Sequence, residues 1–516
     1  MPHSGIATQP QVELVRSFSE PFSTILTAAR TCYSGKGPIR DEDLKPGNAA
    51  LAEELYEAGH HTTIQHAHFL FIIDKVSRQF LWSFLHAHPF YNSEQVSQRY
   101  VTVKPGEFYY RPELTQETAP IYDGSCQRQL QDYQRLTELL LPVTKAEYLS
   151  RFPGRKNLPQ SGKEAQKKSQ EIARYLLPVA TFAYLYHSIS ALTLLRYHRL
   201  CNQYDTPDET RAVVAAMVAA VIAQDSRYGA LLHEPIPIEQ TPEHLHFLAV
   251  HGAEAKRAGL FRREFDAKLN GKWATLVNYG NNNEAVLAQA VREVLGVPCA
   301  QLEDGAAIKL ALDPAQNPLL GDALNRTTHS KRSRALVHPH YSFAKKLSHA
   351  ADSQDQRHRM TPASRGLLAA HVDDEPDYIM PEIVRQVPEA EALYIESMER
   401  SWEAAKKMKS LGAPECDAHY LLPNALTVRF TESTDLLNLH HKHKMRLCYN
   451  AQEEIWRASL DEAEAVSAVN PRIGAYLQPP CWHRQAAGVT PYCPEGVRYC
   501  GVPVWKIERK NYVRVI

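Results

Sequence analysis

Arg357-His358-Arg359 sets two planar guanidinium forks around an imidazole, with Gln354 just upstream. Such a triplet suits a planar, phosphate-bearing anion such as a flavin dinucleotide, because each fork binds phosphate bidentately. A basic run is by default a solvated face, so the triplet needs support from elsewhere in the chain. A second constellation lies in the polar loop from Asn92 to Tyr100. It contains Gln95 and then Ser97-Gln98-Arg99-Tyr100. Ser97 has no histidine base beside it in sequence, so it is read as a hydroxyl that binds phosphate rather than as a nucleophile. Arg99 and Arg174 are candidate phosphate clamps, and the bland alternative for both is surface ion pairing. Gln95 and Gln98 are further candidate nucleotide contacts. A third group is Gly59-His60-His61-Thr62-Thr63-Ile64-Gln65-His66, and a fourth is Arg446, which closes the basic run from His440 to Lys444. The C-terminal stretch holds Cys481-Trp482-His483, Cys493 and Cys500, a cysteine-rich segment that could close a tetrahedral zinc site. Its spacing matches no standard ribbon or finger, buried structural cysteines are the competing reading, and no metal is assigned.

These groups need elements to hold them. Phe22 to Cys32 reads as a helix, and His68 to Ile73 as a short apolar strand. Val76, Phe80 and Phe84 recur at helical spacing, with Leu81 and Leu85 on the same side, so a helix runs to His86-Ala87-His88. Thr206, Pro207 and Glu209 suggest an N-cap, a first-turn proline and a capping-box partner for a helix. Its buried stripe is Val213, Val214, Met217, Val218 and Val221. Asn278 to Asn283 reads as a loop. The proline-rich stretch from Pro235 to Pro242 reads as a joint, and the expected division is 1–250 and 251–516.

With 516 residues there is length for two domains and a large core. Lysines and arginines total 58 and acidic residues 58, so no global field favours nucleic acid or a membrane surface. The most apolar helical stretch, Ala212 to Ala223, is too short to span a bilayer. The start Met1-Pro2-His3 lacks a charged-then-apolar pattern, so no signal peptide is expected. Nine scattered cysteines argue for a reducing cytoplasm.

The two halves repeat one another. Ala418-His419-Tyr420-Leu421-Leu422-Pro423 matches Ala173-Arg174-Tyr175-Leu176-Leu177-Pro178. Leu347-Ser348-His349-Ala350, Gln354 and Arg357-His358-Arg359 lie without a gap on Val76-Ser77-Arg78-Gln79, Ser83 and His86-Ala87-His88. The second half is shorter between these landmarks, as if material had been lost after its Arg-His-Arg. Tandem duplication is the reading these matches support.

Taken together the motifs resemble the flavin-dependent thymidylate synthases. That family's signature joins Arg-His-Arg to a Ser-x-Arg-Tyr element, with an upstream His-x-Thr stretch, a downstream Ala-Arg-x-x-Leu-Pro and a later Leu-Arg before Ala-Gln-x-Glu-Ile. Here the signature is split. The first half keeps His60 to His66, with Gln65 where the family has Glu. It also keeps Ser97 to Tyr100 and Arg174, but has Cys201 for the late arginine. The second half keeps Gln354, Arg357, His358, Arg359 and Arg446, followed by Ala451-Gln452-Glu453-Glu454-Ile455, but has His419 for the Ala-Arg arginine and no Ser-x-Arg-Tyr. The resemblance implies an α+β fold of two repeats, each an antiparallel sheet with long helices.

It also implies an activity: reductive methylation of deoxyuridine monophosphate (dUMP) to dTMP. FAD is the implied cofactor, with NADPH and methylenetetrahydrofolate as co-substrates. Gln95, Ser97, Gln98, Arg99, Arg174 and Gln354 would then bind dUMP, and Arg357, His358, Arg359, His60 and Thr62 the flavin. Arg446 would lie at the pyrimidine, where a cation stabilises negative charge developing on a carbonyl oxygen. Each half keeps what it would give to a shared site and drops what would serve the opposite one. That division implies a homodimer forming a pseudo-tetramer with two complete and two dead sites. The alternatives are a flavoenzyme of the same fold acting on another pyrimidine nucleotide, and a non-catalytic flavin- or nucleotide-binding paralogue.

Overall fold

In the strand His68–Ser77, Phe69, Phe71 and Ile73 alternate with more exposed neighbours, and this period-2 pattern buries one face of the strand. The computed structural model describes residues 6–45, 49–85, 88–152, 159–202, 205–251, 258–322 and 326–514. It holds two four-stranded antiparallel sheets. The first joins β1 (Gln11–Ser17), β2 (His68–Ser77), β3 (Asn92–Gln95) and β4 (Phe182–Ser190) in the order β1-β2-β4-β3. The second joins β5 (Ala274–Tyr279), β6 (His340–Ser348), β7 (Ala363–Arg365) and β8 (Thr427–Asp435) in the order β5-β6-β8-β7. Long helices cover them, notably Ala119–Arg151, Pro207–Gln224, Pro388–Ser410 and Glu453–Val469.

A pseudo-twofold axis runs between the sheets. Pro178 bridges Pro423, the same residue of each repeat, across this axis. Val179 N donates to Leu422 O and Asn424 N to Leu177 O, both at 2.8 Å. Ala180 N donates to Tyr420 O and Ala425 N to Tyr175 O, both at 3.0 Å. These are reciprocal bonds, as an isologous interface requires. Buried carboxylates repeat the pattern. Glu209 accepts from Ser77 of its own repeat and from the Tyr420 hydroxyl of the other. Glu454 accepts from Ser348 and from the Tyr175 hydroxyl. The largest apolar cluster draws on both repeats, including Trp82, Tyr175, Leu177, Leu347, Trp402 and Leu422. Each sheet also has a core of its own.

Several expectations need correction. Val76 and Ser77 end β2, and the helix is Arg78–Leu85, because a bulge after Ile73, with Lys75 at φ 55°, carries the strand further. Asn278 and Tyr279 close β5 rather than open a loop. Glu209 makes no capping box: it turns inward to Ser77, and Thr206 caps nothing with its side chain. Nor does the second repeat lose material directly after Arg-His-Arg. The bridges Tyr109–Thr181 and Tyr378–Leu426 are equivalent, so the repeats are still nearly in step there. The excess in the first repeat lies in helices Ala119–Arg151 and Pro159–Ala173, where the second repeat has the shorter Pro388–Ser410 and Glu415–His419. His86 and Ala87, counterparts of Arg357 and His358, lie outside the described residues, and the expected 250/251 division adjoins 252–257, also outside them.

Candidate functional site

The turn after β3 carries Ser97 to Tyr100, and it meets the second repeat. Arg99 Nη2 donates to the Asn450 carbonyl at 2.8 Å and lies 3.1 Å from Glu171 Oε2. Ser97 Oγ accepts from the Arg99 amide at 3.3 Å, which tightens this turn. Arg174 stands where helix Pro159–Ala173 gives way to a 3₁₀ turn, and its Nη2 donates to Gln452 Oε1 at 2.8 Å. Asn424 Nδ2 ties the group together, donating to Gln98 Oε1 at 3.3 Å and to Arg174 O at 3.1 Å. From the second repeat, Arg446 closes helix Leu436–Arg446 and donates from Nη2 to Gln354 O at 2.8 Å.

This gathering is rich in buried polar atoms that lack a hydrogen-bond partner. They include Nε of Arg99, Arg174 and Arg446, Nε2 of Gln98 and Oε1 of Gln354. Buried donors and acceptors without partners cost about 1–3 kcal/mol each, so they mark a cradle shaped for a polar ligand. The charges agree. Burial lowers Arg446 to about 10, and Arg99 and Arg357 push it the same way against Asp355. Burial lowers Arg174, with Arg99 adding to it. Burial opposes ionisation of Glu171, yet Arg99, Lys168 and Arg174 outweigh it and hold the carboxyl at about 2. Glu171 is the carboxylate that pairs with Arg99, Lys168 beside it adds a further cation, and an anion would relieve the crowding of positive charge.

Arg357, His358 and Arg359 follow helix His349–Asp355, which Ser348 caps by accepting from the Ala351 amide. The two arginines reach β3 of the first repeat. Arg357 Nη2 pairs with Glu94 Oε2 at 2.5 Å. Arg359 donates to Pro89 O at 3.2 Å and Asn92 Oδ1 at 3.0 Å, and lies over the Tyr91 ring. The two arginines open on a cleft of about 320 Å³ that Leu70, Tyr91 and Tyr186 also line. Gln95 lines it too and accepts from Arg78, so it stands with the triplet rather than with Arg99. Burial and the Arg446 charge keep His358 a neutral imidazole, and its buried Nε2 has no partner.

His60 and Thr62 are exposed, on the turn that leads into β2. Among the described residues no hydrogen bond or ion pair joins them to Arg357, His358 or Arg359. Sequence reasoning missed Glu171, Asn450 and Gln452 as members of the arginine cluster. Gln452 lies inside a recognised motif and Glu171 two residues before another, so their polarity after Arg446 and beside Arg174 was the available signal. Asn450 acts through its backbone, which no side-chain pattern reveals.

The sequence profile of the family described as thymidylate synthase complementing protein matches residues 13–225 and again 275–472. A flavin-dependent thymidylate synthase of Clostridium tetani is 28% identical over 205 residues, 37% of this chain and 75% of that protein. That of Sulfurisphaera tokodaii is 28% identical over 149 residues, 28% of this chain and 57% of that protein. A solved UMP/dUMP methylase, PolB of Streptomyces cacaoi with bound 5-Br dUMP, matches 43% of this chain and 96% of its own at 20% identity. Its TM-score of 0.32 is too low to bear on the site.

Proposed function

We propose, for a chain that belongs to the thymidylate synthase complementing protein family, that it methylates dUMP reductively to dTMP at a site shared between its two repeats. One observation carries this reading. Arg99 and Arg174 of one repeat and Arg446 and Gln354 of the other converge with unpartnered buried polar atoms. In this reading the phosphate takes the place of the missing acceptors at Arg99 and Arg174, with the Ser97 hydroxyl beside them. Arg446 and Gln354 meet the pyrimidine, and the guanidinium stabilises negative charge on its carbonyl oxygen as C5 and C6 react. No side-chain nucleophile is required.

FAD supplies hydride transfer when bound, with NADPH as reductant and methylenetetrahydrofolate as carbon donor. Arg357 and Arg359 fit a phosphate-bearing cofactor, since both forks open on one cleft. A cleft of about 320 Å³ is at the low end for ligand pockets and holds only part of a dinucleotide. The rest of the flavin then needs a second chain, whose His60 and Thr62 complete the site. Exposed Tyr184 and Tyr186 on β4 give that chain an aromatic sheet face to cover. The assembly is a homodimer forming a pseudo-tetramer of repeats 1–250 and 251–516, acting in the cytoplasm. Among the described residues no helix is long and apolar enough to cross a membrane.

Rescue of a thymidine auxotroph tests the reading. Wild type rescues, and Arg174→Ala and Arg446→Ala each fail. A wild-type protein that purifies with flavin, binds dUMP and does not rescue would shift the substrate to another pyrimidine nucleotide.

A further inference from the structure

Four cysteines from separate stretches of the second repeat converge on one small space. Cys448 lies just beyond helix Leu436–Arg446, and Cys481 is in the first turn of helix Pro480–Ala486. Cys493 and Cys500 lie in the irregular segment that follows. All four line a small space of about 10 Å³, together with Glu495. That is the room of a single water-sized sphere. All four are free thiols. Burial pushes Cys481 up to about 12, and Cys448, Cys493 and Cys500 each add to the rise, as close neighbours must. His483 is not the fourth member. It is buried with its ring edge-on to His440, centroids 4.7 Å apart, and Cys448 stands in the place it was expected to fill. Among the described residues no three Cys, His, Asp or Glu side chains stand at metal-ligand spacing. The four thiols share the space without being drawn together, and an ion would have to bring them to ligand distance.

We propose that Cys448, Cys481, Cys493 and Cys500 are a four-thiolate zinc site. Each thiol releases its proton to solvent and donates a sulfur lone pair to one Zn²⁺, drawing the sulfurs in to about 2.3 Å. Nothing is oxidised or reduced. Soft thiolates select zinc over magnesium or calcium. The site's position gives it a task. Arg446 lies two residues before Cys448, and Asn450, whose carbonyl holds Arg99, two residues after it. Asn450 Nδ2 donates to Arg498 O at 2.6 Å, two residues before Cys500. The ion would clamp the C-terminal segment onto the turn that positions both arginines.

The test is metal analysis of the full chain purified under reducing conditions. About one zinc per chain is expected, as for a closed structural site. Cys448→Ser and Cys493→Ser each lose most of it, and Cys299→Ser, at an exposed cysteine elsewhere, retains it. Should the serine variants fold poorly, cobalt substituted into the intact wild-type chain gives a thiolate-to-metal charge-transfer band. Nine titratable thiols with no zinc taken up on incubation would overturn the proposal. So would disulfides among these four in the purified protein, or a cobalt spectrum without thiolate bands.

Discussion

Where Arg99, Arg174 and Arg446 gather on one side of the pseudo-twofold axis, the equivalent positions on the other hold Ala369, His419 and Cys201. Strand pairing fixes this equivalence, since Ser93 pairs with His187 as Ala363 pairs with Glu432. Gln98 becomes Leu368, which is buried, and Asn450 becomes Asp205. Asp205 accepts from the Leu368 amide at 2.8 Å, and burial raises it to about 7. Asp417, also raised to about 7 by burial, adds a second carboxyl near His419. One side is cationic with unpartnered donors. The other is apolar, with two carboxyls that burial keeps from ionising readily. The same backbone frame thus hosts an arginine cluster and a packed core, decided by a handful of side chains.

The largest effect should come from the first side alone. Arg174→Ala or Arg446→Ala is expected to lower kcat/KM for dUMP by about 10²–10³, the usual loss on removing one charged donor aimed at a reacting or anchoring oxygen. His419→Ala and Cys201→Ser should leave it within a few-fold of wild type. Titration calorimetry should find one dUMP, and absorbance one flavin, per chain. Two of either per chain, or equal damage from His419→Ala, would break the asymmetry.

A second contrast lies beneath the site. Lys345, Asp355, Glu432, Lys442 and Glu462 are fully buried together in the second repeat, with Lys345 Nζ 2.5 Å from Asp355 and 3.0 Å from Glu462. Two lysines facing three carboxylates balance when one carboxyl keeps its proton. Burial, with Asp355 beside it, pushes Glu432 up to about 7. The first repeat places Ile73, Phe84, His187, Tyr197 and Met217 at these positions. There His187 stacks on Tyr197, and the Phe84 ring packs at a tilt against both. Lys345→Met should therefore destabilise the chain by about 3–5 kcal/mol, because it strands buried carboxylates. Ile73→Val should cost about 0.5–1.5 kcal/mol. Denaturant unfolding compares the two. A Lys345→Met cost below that of Ile73→Val would mean the network does not hold Asp355, and through it Gln354 and Arg357, in place.

The sequence made the repeat and the division of the arginines readable, since helical and strand periodicities and short motifs survive duplication. The bulge at Lys75 was not readable. It shifts register by one residue, so a gapless match sets Asp74 against Lys345 where the strand pairing sets Ile73. Glu209 looked like a capping residue because spacing cannot tell an outward carboxylate from one buried under Ser77 and Tyr420. Cys448 was missed as a companion of Cys481, Cys493 and Cys500 because the fold, not the spacing, brings it to them. His60 and Thr62 were matched to the flavin by motif alone, and in a single chain they stand apart from the triplet.

The smallest expected effect tests the symmetry of the two halves. Burial raises both Glu209 and Glu454 to about 7, against the hydrogen bonds that lower them. An unfolded glutamate titrates near 4.3. Each folded carboxyl therefore holds its proton where the unfolded one has lost it. The resulting stability is fully present below about pH 4.3 and is lost as pH rises toward 7, on the order of 1–3 kcal/mol per residue. Glu209→Gln and Glu454→Gln should each flatten the fall in melting temperature over that window, by similar amounts if the twofold arrangement is as even as its hydrogen bonds. The Glu454 side has one further link, Gln452 Nε2 to the Tyr175 hydroxyl, which Pro207 cannot supply on the other. A steeper change for Glu454→Gln, abolished in a Gln452→Ala background, would locate the departure from symmetry at the arginine-lined site. Unchanged slopes for both substitutions would mean that these carboxyls are ionised in the folded chain.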